Sequence, residues 1–364
     1  MRILFAGGGT GGHLYPGLAI ARALVRVRPD VRPHFVGAER GIEREILPQT
    51  EFPHTLLDLH PLYRPQVWKN ARTLAGLVSS WRGMQQLTAA ERPALIVGTG
   101  GYASGAALLW GSRHDVPIVQ HIGDSMPGKA ARLFARWSTQ CYLGFAEAEP
   151  FLPPRAGRYR VTGNPIEPPP EPRPDRAAAR AQWGFPPDAT VLLLFGGSQG
   201  SRVMNEAMAA WIGRGLPPSL HVIWATGRAT YESFARYEST RVHVVPYLSP
   251  ISDAFAATDV ALVRGGMMGT AELCAWGIPM VIVPLPSAAD DHQTKNAVAL
   301  ERAGAAVHLP QSALSPDALM REIGGRLADP AALAQLAAGA RARAHPHAAA
   351  TIAAHIDALL PRPR

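Results

Sequence analysis

The sequence predicts an α/β protein of two doubly wound parallel-sheet domains, and three observations carry that expectation. Short apolar runs alternate with amphipathic helical stretches along the whole chain. Glycine-rich turns stand directly after several of those runs. A proline-rich segment from Pro165 to Pro174 (PIEPPPEPRP) can continue neither a helix nor a central strand, and beyond it the pattern restarts.

Taken in order, Arg2–Ala6 reads as a first buried strand, followed by a glycine loop and a helix to about Val27. A second strand is expected after Asp30, and Ala94–Gly98 and Pro117–His121 read as later strands of the same sheet. Past the proline segment, Thr190–Phe195 is a strand, Gly196–Gly200 a loop, and a helix follows. His221–Ala225, His243–Pro246, Val260–Val263 and Met280–Pro284 give four more strands. Ligands of such sheets bind beyond the carboxyl ends of the strands, so a cleft between the two halves is the expected active site.

A chain of 364 residues, 47% hydrophobic and 18% charged, has length and apolar content for two cores. Cys141 and Cys274 lack metal-ligand spacing and form no disulfide framework, which points to a reducing cytosol. Met1-Arg2 leads into the short run Ile3–Ala6 and then glycines, so no secretory apolar region is expected. No apolar stretch approaches the roughly 20 residues a spanning helix needs. A formal net charge of +8 favours an anionic partner. With no helix-turn-helix, zinc-finger or RNA-binding aromatic signature, acidic lipids and diphosphates are better partners than nucleic acid.

The chemistry-bearing motifs follow strands. Gly7-Gly8-Gly9-Thr10-Gly11-Gly12-His13 comes first, and Gly98-Thr99-Gly100-Gly101-Tyr102-Ala103-Ser104-Gly105 second. Gly196-Gly197-Ser198-Gln199-Gly200-Ser201-Arg202 opens the second half. Arg264-Gly265-Gly266-Met267-Met268-Gly269-Thr270-Ala271-Glu272 and Asp290-Asp291-His292-Gln293 follow it. Glycine lets the backbone approach a ligand, and a helix beginning there aims N–H groups at negative charge. Any one loop could be only a tight strand–helix connection; several at strand ends point to phosphate groups. Gly7-x-Gly9-x-x-Gly12 also matches a dinucleotide fingerprint, but Asp30 follows Pro29 and precedes the second strand, a poor fit to the acidic residue that fingerprint requires.

GGTGGHLYPGLA, GTGGYASG, TGNP, GGSQGSR, TAEL, GIP and DDHQ stand in an order and spacing that resemble the MurG family, whose members transfer N-acetylglucosamine to lipid I to make lipid II. The resemblance covers nearly the whole chain. It implies the GT-B fold and an inverting reaction with no metal and no cofactor. It further implies an acceptor-binding, membrane-associating domain over 1–164, a donor-binding domain over 165–344 and a returning helix over 345–364. Thr10, Gly11, Gly12, His13, Tyr102 and Asn164 then face the acceptor, and Ser198 with Gln199 the donor phosphates. Glu272 is expected to hold both ribose hydroxyls as an ionised acceptor. Gln293 and His292 contact the donor sugar, the backbone at Leu248 reads uracil, and Arg264, Met268 and Gly269 line the same pocket. The implied partners are UDP-N-acetylglucosamine, lipid I and the inner face of the cell membrane.

Inverting transfer needs a base, and His13 near a helix start is the first choice, because the macrodipole disfavours its imidazolium. Asp290-Asp291 reads as a solvated pair rather than a metal site. Trp68-Lys69, Arg72, Leu74, Leu77, Val78, Trp81 and Arg82 form a basic, apolar cluster suited to a lipid interface or to an ordinary core-facing helix. Three positions depart from the family pattern. His121-Ile122-Gly123-Asp124 stands for His-Glu-Gln-Asn, Glu167 for an arginine and Gly269 for a threonine. Asp124 could assist as base. The departures leave two alternatives open: a related enzyme with another lipid or secondary-metabolite acceptor, and a low-activity nucleotide-sugar-binding protein.

Overall fold

The computed structural model describes residues 1–60, 70–197 and 199–362. Its contacts divide the chain into two units, Met1–Ile166 with His347–Arg364, and Glu167–Pro346. The first holds seven parallel strands: β1 Arg2–Gly7, β2 Arg32–Ala38, β3 His54–Leu57, β4 Leu95–Gly100, β5 Ile118–Ile122, β6 Gln140–Leu143 and β7 Tyr159–Val161. Their order is β3-β2-β1-β4-β5-β6-β7. The second holds β8 Thr190–Phe195, β9 Leu220–Ala225, β10 Val242–Val245, β11 Val260–Val263, β12 Met280–Ile282 and β13 Ala306–His308, in the order β10-β9-β8-β11-β12-β13. The order reverses direction between β1 and β4 in one sheet, and between β8 and β11 in the other. Those are the points where a doubly wound sheet binds ligands.

Ile3, Leu4 and Phe5, and Val191 to Leu194, are at most 1% exposed, because helices cover both faces of each sheet. Each such side chain stabilises the fold by about 1.5–3 kcal/mol. The strands absent from the sequence reading, β3, β6, β7 and β13, run three or four residues, and the edge strand β7 exposes Arg160 and Val161. Such strands carry too little apolar sequence to stand out from loops. β4 also runs to Gly100 rather than stopping at Gly98.

In the first unit, helix Ala348–Asp357 returns to pack on helix Gly11–Val27. Arg28, just past the end of that helix, fastens it: Nη1 donates to Asp357 at 2.7 Å, Nε to Asp30 at 2.8 Å and Nη2 to the Pro361 carbonyl at 2.5 Å.

Two histidines of this sheet link stability to pH. Burial pushes His34 down to about 4 and His121 down to about 3. Below the ordinary histidine pKa of about 6.5 the unfolded chain therefore binds protons that the folded chain refuses. The melting temperature is expected to fall steadily from about pH 6.5 towards pH 4, measured by circular dichroism, and His34→Gln should flatten that slope. A melting temperature constant over this range would remove both histidines from the acid response.

Candidate active site

In the first unit the site forms where β1 meets β4. Ala6 pairs with Gly98, but Gly7 pairs with Gly100, so Thr99 is the extra residue of a bulge. Bulges re-aim side chains. The Thr99 hydroxyl donates to the His13 carbonyl at 2.6 Å, and Nδ1 of His13 donates to the Thr99 carbonyl at 3.2 Å. A carbonyl oxygen can only accept, so Nδ1 carries the hydrogen and Nε2 the basic lone pair. Gly7 makes the bulge possible, since a Cβ there would lie 1.9 Å from Thr99 Oγ1.

The two glycine motifs interlock. The Gly8 N–H donates to the Gly100 carbonyl at 3.3 Å. A Cβ on Gly101 (φ 74°) would lie 2.0 Å from the Gly8 oxygen and 3.1 Å from the His13 ring, and one on Gly9 would lie 2.7 Å from the Tyr102 ring. Thr10, Gly11, Gly12, His13 and Tyr102 are thus gathered at one corner. Thr10 stands at the N-cap of helix Gly11–Val27 without a side-chain capping bond. The amides of Thr10, Gly11 and Gly12 have no acceptor among the described residues. They offer a helix N-terminus to an anion.

Behind this loop stands Glu43, which the sequence reading passed over. It is fully buried; Oε2 accepts from the Gly9 N–H at 2.9 Å and Oε1 from the Ala38 N–H at 3.1 Å. Gly8, Gly37 and Gly41 close around it, and Cβ atoms there would lie 1.9, 2.9 and 2.0 Å from its side chain. At the end of β5, His121 is buried, with Asn164 as its side-chain neighbour. Burial, reinforced by the neighbouring His13, holds it neutral. Asn164 donates from Nδ2 to the Gly123 carbonyl at 3.2 Å, and Asp124 follows, partly exposed.

In the second unit the corresponding corner lies between β8 and β11. Ser198 lies outside the described residues; Gln199 beside it is exposed. Ser201 caps helix Arg202–Arg214, accepting from the Met204 N–H at 3.5 Å and from Arg264 Nη2 at 2.7 Å. Arg264 Nη1 donates to the Val283 and Pro284 carbonyls, each at 3.0 Å. Arg264 is therefore a strut joining the ends of β8, β11 and β12. Burial without a carboxylate partner lowers its pKa.

Glu272, on helix Met267–Trp276, makes no hydrogen bond or ion pair among the described residues. Burial, then repulsion from Glu167, pushes its carboxyl up to about 7. Near neutral pH the unliganded group therefore divides between its two forms. Met268 and Gly269 occupy the first turn of the same helix, partly exposed. A Cβ on Gly269 would meet the Phe195 ring at 3.1 Å, so the ring fills space a side chain would take.

The Leu248 side chain is buried, while its N–H and carbonyl have no partner among the described residues. Gln293 accepts from the Leu285 N–H at 3.0 Å, which leaves its amide N–H groups to present outward. His292 Nδ1 lies 2.8 Å from the Ala289 carbonyl, which again puts the lone pair on Nε2. Asp290 and Asp291 both adopt left-handed backbone, φ 52° and 55°. Among the described residues no three His, Cys, Asp or Glu side chains are grouped to hold a metal ion. Trp68 and Lys69 lie outside the described residues, as do the side chains of Arg72, Leu74 and Leu77. Val78 and Arg82 are exposed on helix Asn70–Ala89, and Trp81 is partly so.

The glycosyltransferase family 28 N-terminal domain matches residues 3–143, and the family 28 C-terminal domain matches residues 191–352. Curated relatives named UDP-N-acetylglucosamine–N-acetylmuramyl-(pentapeptide) pyrophosphoryl-undecaprenol N-acetylglucosamine transferase align end to end. The one from Salinibacter ruber is 38% identical over 100% of this chain and 98% of its own. The one from Chlorobaculum parvum is 37% identical over 99% of each. Among solved structures, Acinetobacter baumannii MurG superposes with a TM-score of 0.76 at 24% identity, covering 98% of this chain and 99% of that one. The kitacinnamycin glycotransferase superposes at 0.74 and 17% identity, covering 99% of each. These superpositions establish the two-domain GT-B fold.

Proposed function

The chain belongs to the MurG transferase family within glycosyltransferase family 28, and from that premise we propose that it performs the family's reaction. It moves N-acetylglucosamine from UDP-N-acetylglucosamine to the C4 hydroxyl of the muramyl sugar of lipid I, forming lipid II for peptidoglycan. The observation that carries the mechanism is the reciprocal pair of bonds between Thr99 and His13, which assigns the lone pair to Nε2. His13 takes the proton from the acceptor hydroxyl as that oxygen attacks the anomeric carbon, and the bonding pair leaves with the UDP oxygen. The N–H groups of Thr10, Gly11 and Gly12 receive the acceptor diphosphate. In the second unit Glu272 accepts from the ribose hydroxyls, the Leu248 backbone reads the base, and Gln293 and His292 meet the donor sugar.

Transfer of labelled N-acetylglucosamine to a short-chain lipid I analogue tests this reading. Product is expected, and it should persist in EDTA. Binding of UDP-N-acetylglucosamine without product would instead assign the chain another acceptor, with Asp124 and Glu167 the positions to study.

For the membrane we propose a face of the first unit. Leu133 and Trp137 are 47% and 48% exposed, next to Arg136 and Lys129. Helix Gly105–Arg113 packs against both helix Lys129–Phe134 and helix Asn70–Ala89, whose Val78 is 54% exposed beside Arg82. Among the described residues no helix is long and apolar enough to cross a bilayer, and tryptophan with arginine suits attachment to its surface. Co-sedimentation with vesicles containing anionic lipid should weaken in Trp137→Ala, and in Arg136→Ala by about 1 kcal/mol. Unchanged binding in both would exclude this face.

A further inference from the structure

The loop after β9 is seated on the loop after β8. Gly227 (φ 89°) is so close that a Cβ on it would lie 2.5 Å from the Gln199 oxygen and 2.7 Å from Gly200 Cα. A Cβ on Gly200 (φ 73°) would lie 2.1 Å from the Thr226 oxygen. The seat is rigid. The Thr226 carbonyl accepts from Asn205 Nδ2 at 2.8 Å and from Thr230 Oγ1 at 2.7 Å, and Asn205 Oδ1 accepts from Trp224 Nε1 at 2.9 Å. All four residues are buried.

The residue that emerges from this seat is Arg228. It is exposed, and its guanidinium stands 5.6 Å from the centroid of the Tyr247 ring. Among the described residues it has no carboxylate and no hydrogen-bond acceptor. Arg264 is bound to backbone carbonyls and Ser201, and Arg202 makes a loose, exposed pair with Glu206 at 3.9 Å. Tyr247 immediately precedes Leu248, whose backbone groups are unpartnered among the described residues. An aromatic face holds a guanidinium in place while leaving its edge N–H groups available to an anion.

We infer that Arg228 is the cation that binds the donor diphosphate, held ready by the Tyr247 ring. It contacts the phosphate oxygen that gains charge as the anomeric bond breaks and the electron pair departs with UDP. This rests on the reading that the second unit binds the nucleotide sugar.

Calorimetric titration of UDP and of uridine into the full chain tests it, alongside transfer kinetics. Arg228→Gln should weaken UDP about 10- to 100-fold, the loss of a charged hydrogen bond, and leave uridine unchanged. It should also reduce the salt dependence of UDP binding. Arg228→Lys should recover part of the loss, and Tyr247→Leu should weaken UDP about two- to fivefold. Unchanged UDP affinity in Arg228→Gln overturns the inference, and so does equal weakening of UDP and uridine. If the unaltered protein binds neither ligand, the donor reading itself falls. If Glu272→Ala loses UDP while Arg228→Gln keeps it, only this inference does.

Discussion

Replacing His13 with alanine should lower the transfer rate about 10²- to 10⁴-fold, the range removed with a general base, while UDP affinity stays near its original value. The two readouts should separate because His13 and the residues proposed to bind the nucleotide belong to different units. Thr99 gives the assignment a second handle. Its hydroxyl donates to the His13 carbonyl, and its own carbonyl fixes the ring nitrogen. Thr99→Val keeps the carbonyl and the branched shape but removes the hydroxyl, so a smaller fall in kcat is expected with KM for donor unchanged. Full turnover in His13→Ala would move the base elsewhere, Asp124 being the next residue to replace.

The second large effect is expected at Glu272. Two hydroxyls donating to one carboxylate are each worth about 1.5–3 kcal/mol, so Glu272→Ala should weaken UDP at least about 100-fold. The pH dependence is the sharper test. In the free protein the carboxyl is pushed up to about 7 by burial and by Glu167. Donor hydroxyls favour its ionised form, so binding lowers that pKa and releases a proton. UDP affinity should therefore rise with pH through about 7, then level off, and Glu272→Gln should bind weakly with no such rise. Titrations in buffers of different ionisation enthalpy count the released proton directly. Affinity that falls as pH rises through 7 would reverse the assignment.

Much of the fold was legible in the sequence because the central strands of parallel sheets are continuous apolar runs. Val191 to Leu194 can be read as a strand without any partner in view. The edges were not, because a strand such as Tyr159–Val161 is defined by hydrogen bonds to β6 rather than by its own composition. The site divides similarly. Glycine motifs announce where the backbone turns sharply, and His13 and Tyr102 were found inside them. Thr99 lies in the same motif, yet its importance depends on a register shift against β1 that no single segment encodes. Arg264 carries a charge that invites a ligand role, and the structure adds bonds to three neighbours that its sequence position does not announce. The raised pKa of Glu272 comes from burial and from Glu167, more than a hundred positions earlier in the chain.

Glu43 has a consequence for any attempt to move this site. The motif Gly7 to His13 is contiguous, but its shape is set by an acid 34 positions from Gly9 that takes up the Gly9 amide, and by Gly37 and Gly41, which leave that acid room. Grafted alone into another sheet, the seven residues would lose their anchor. The portable unit is the loop together with its distant wedge, and the two must be transplanted together.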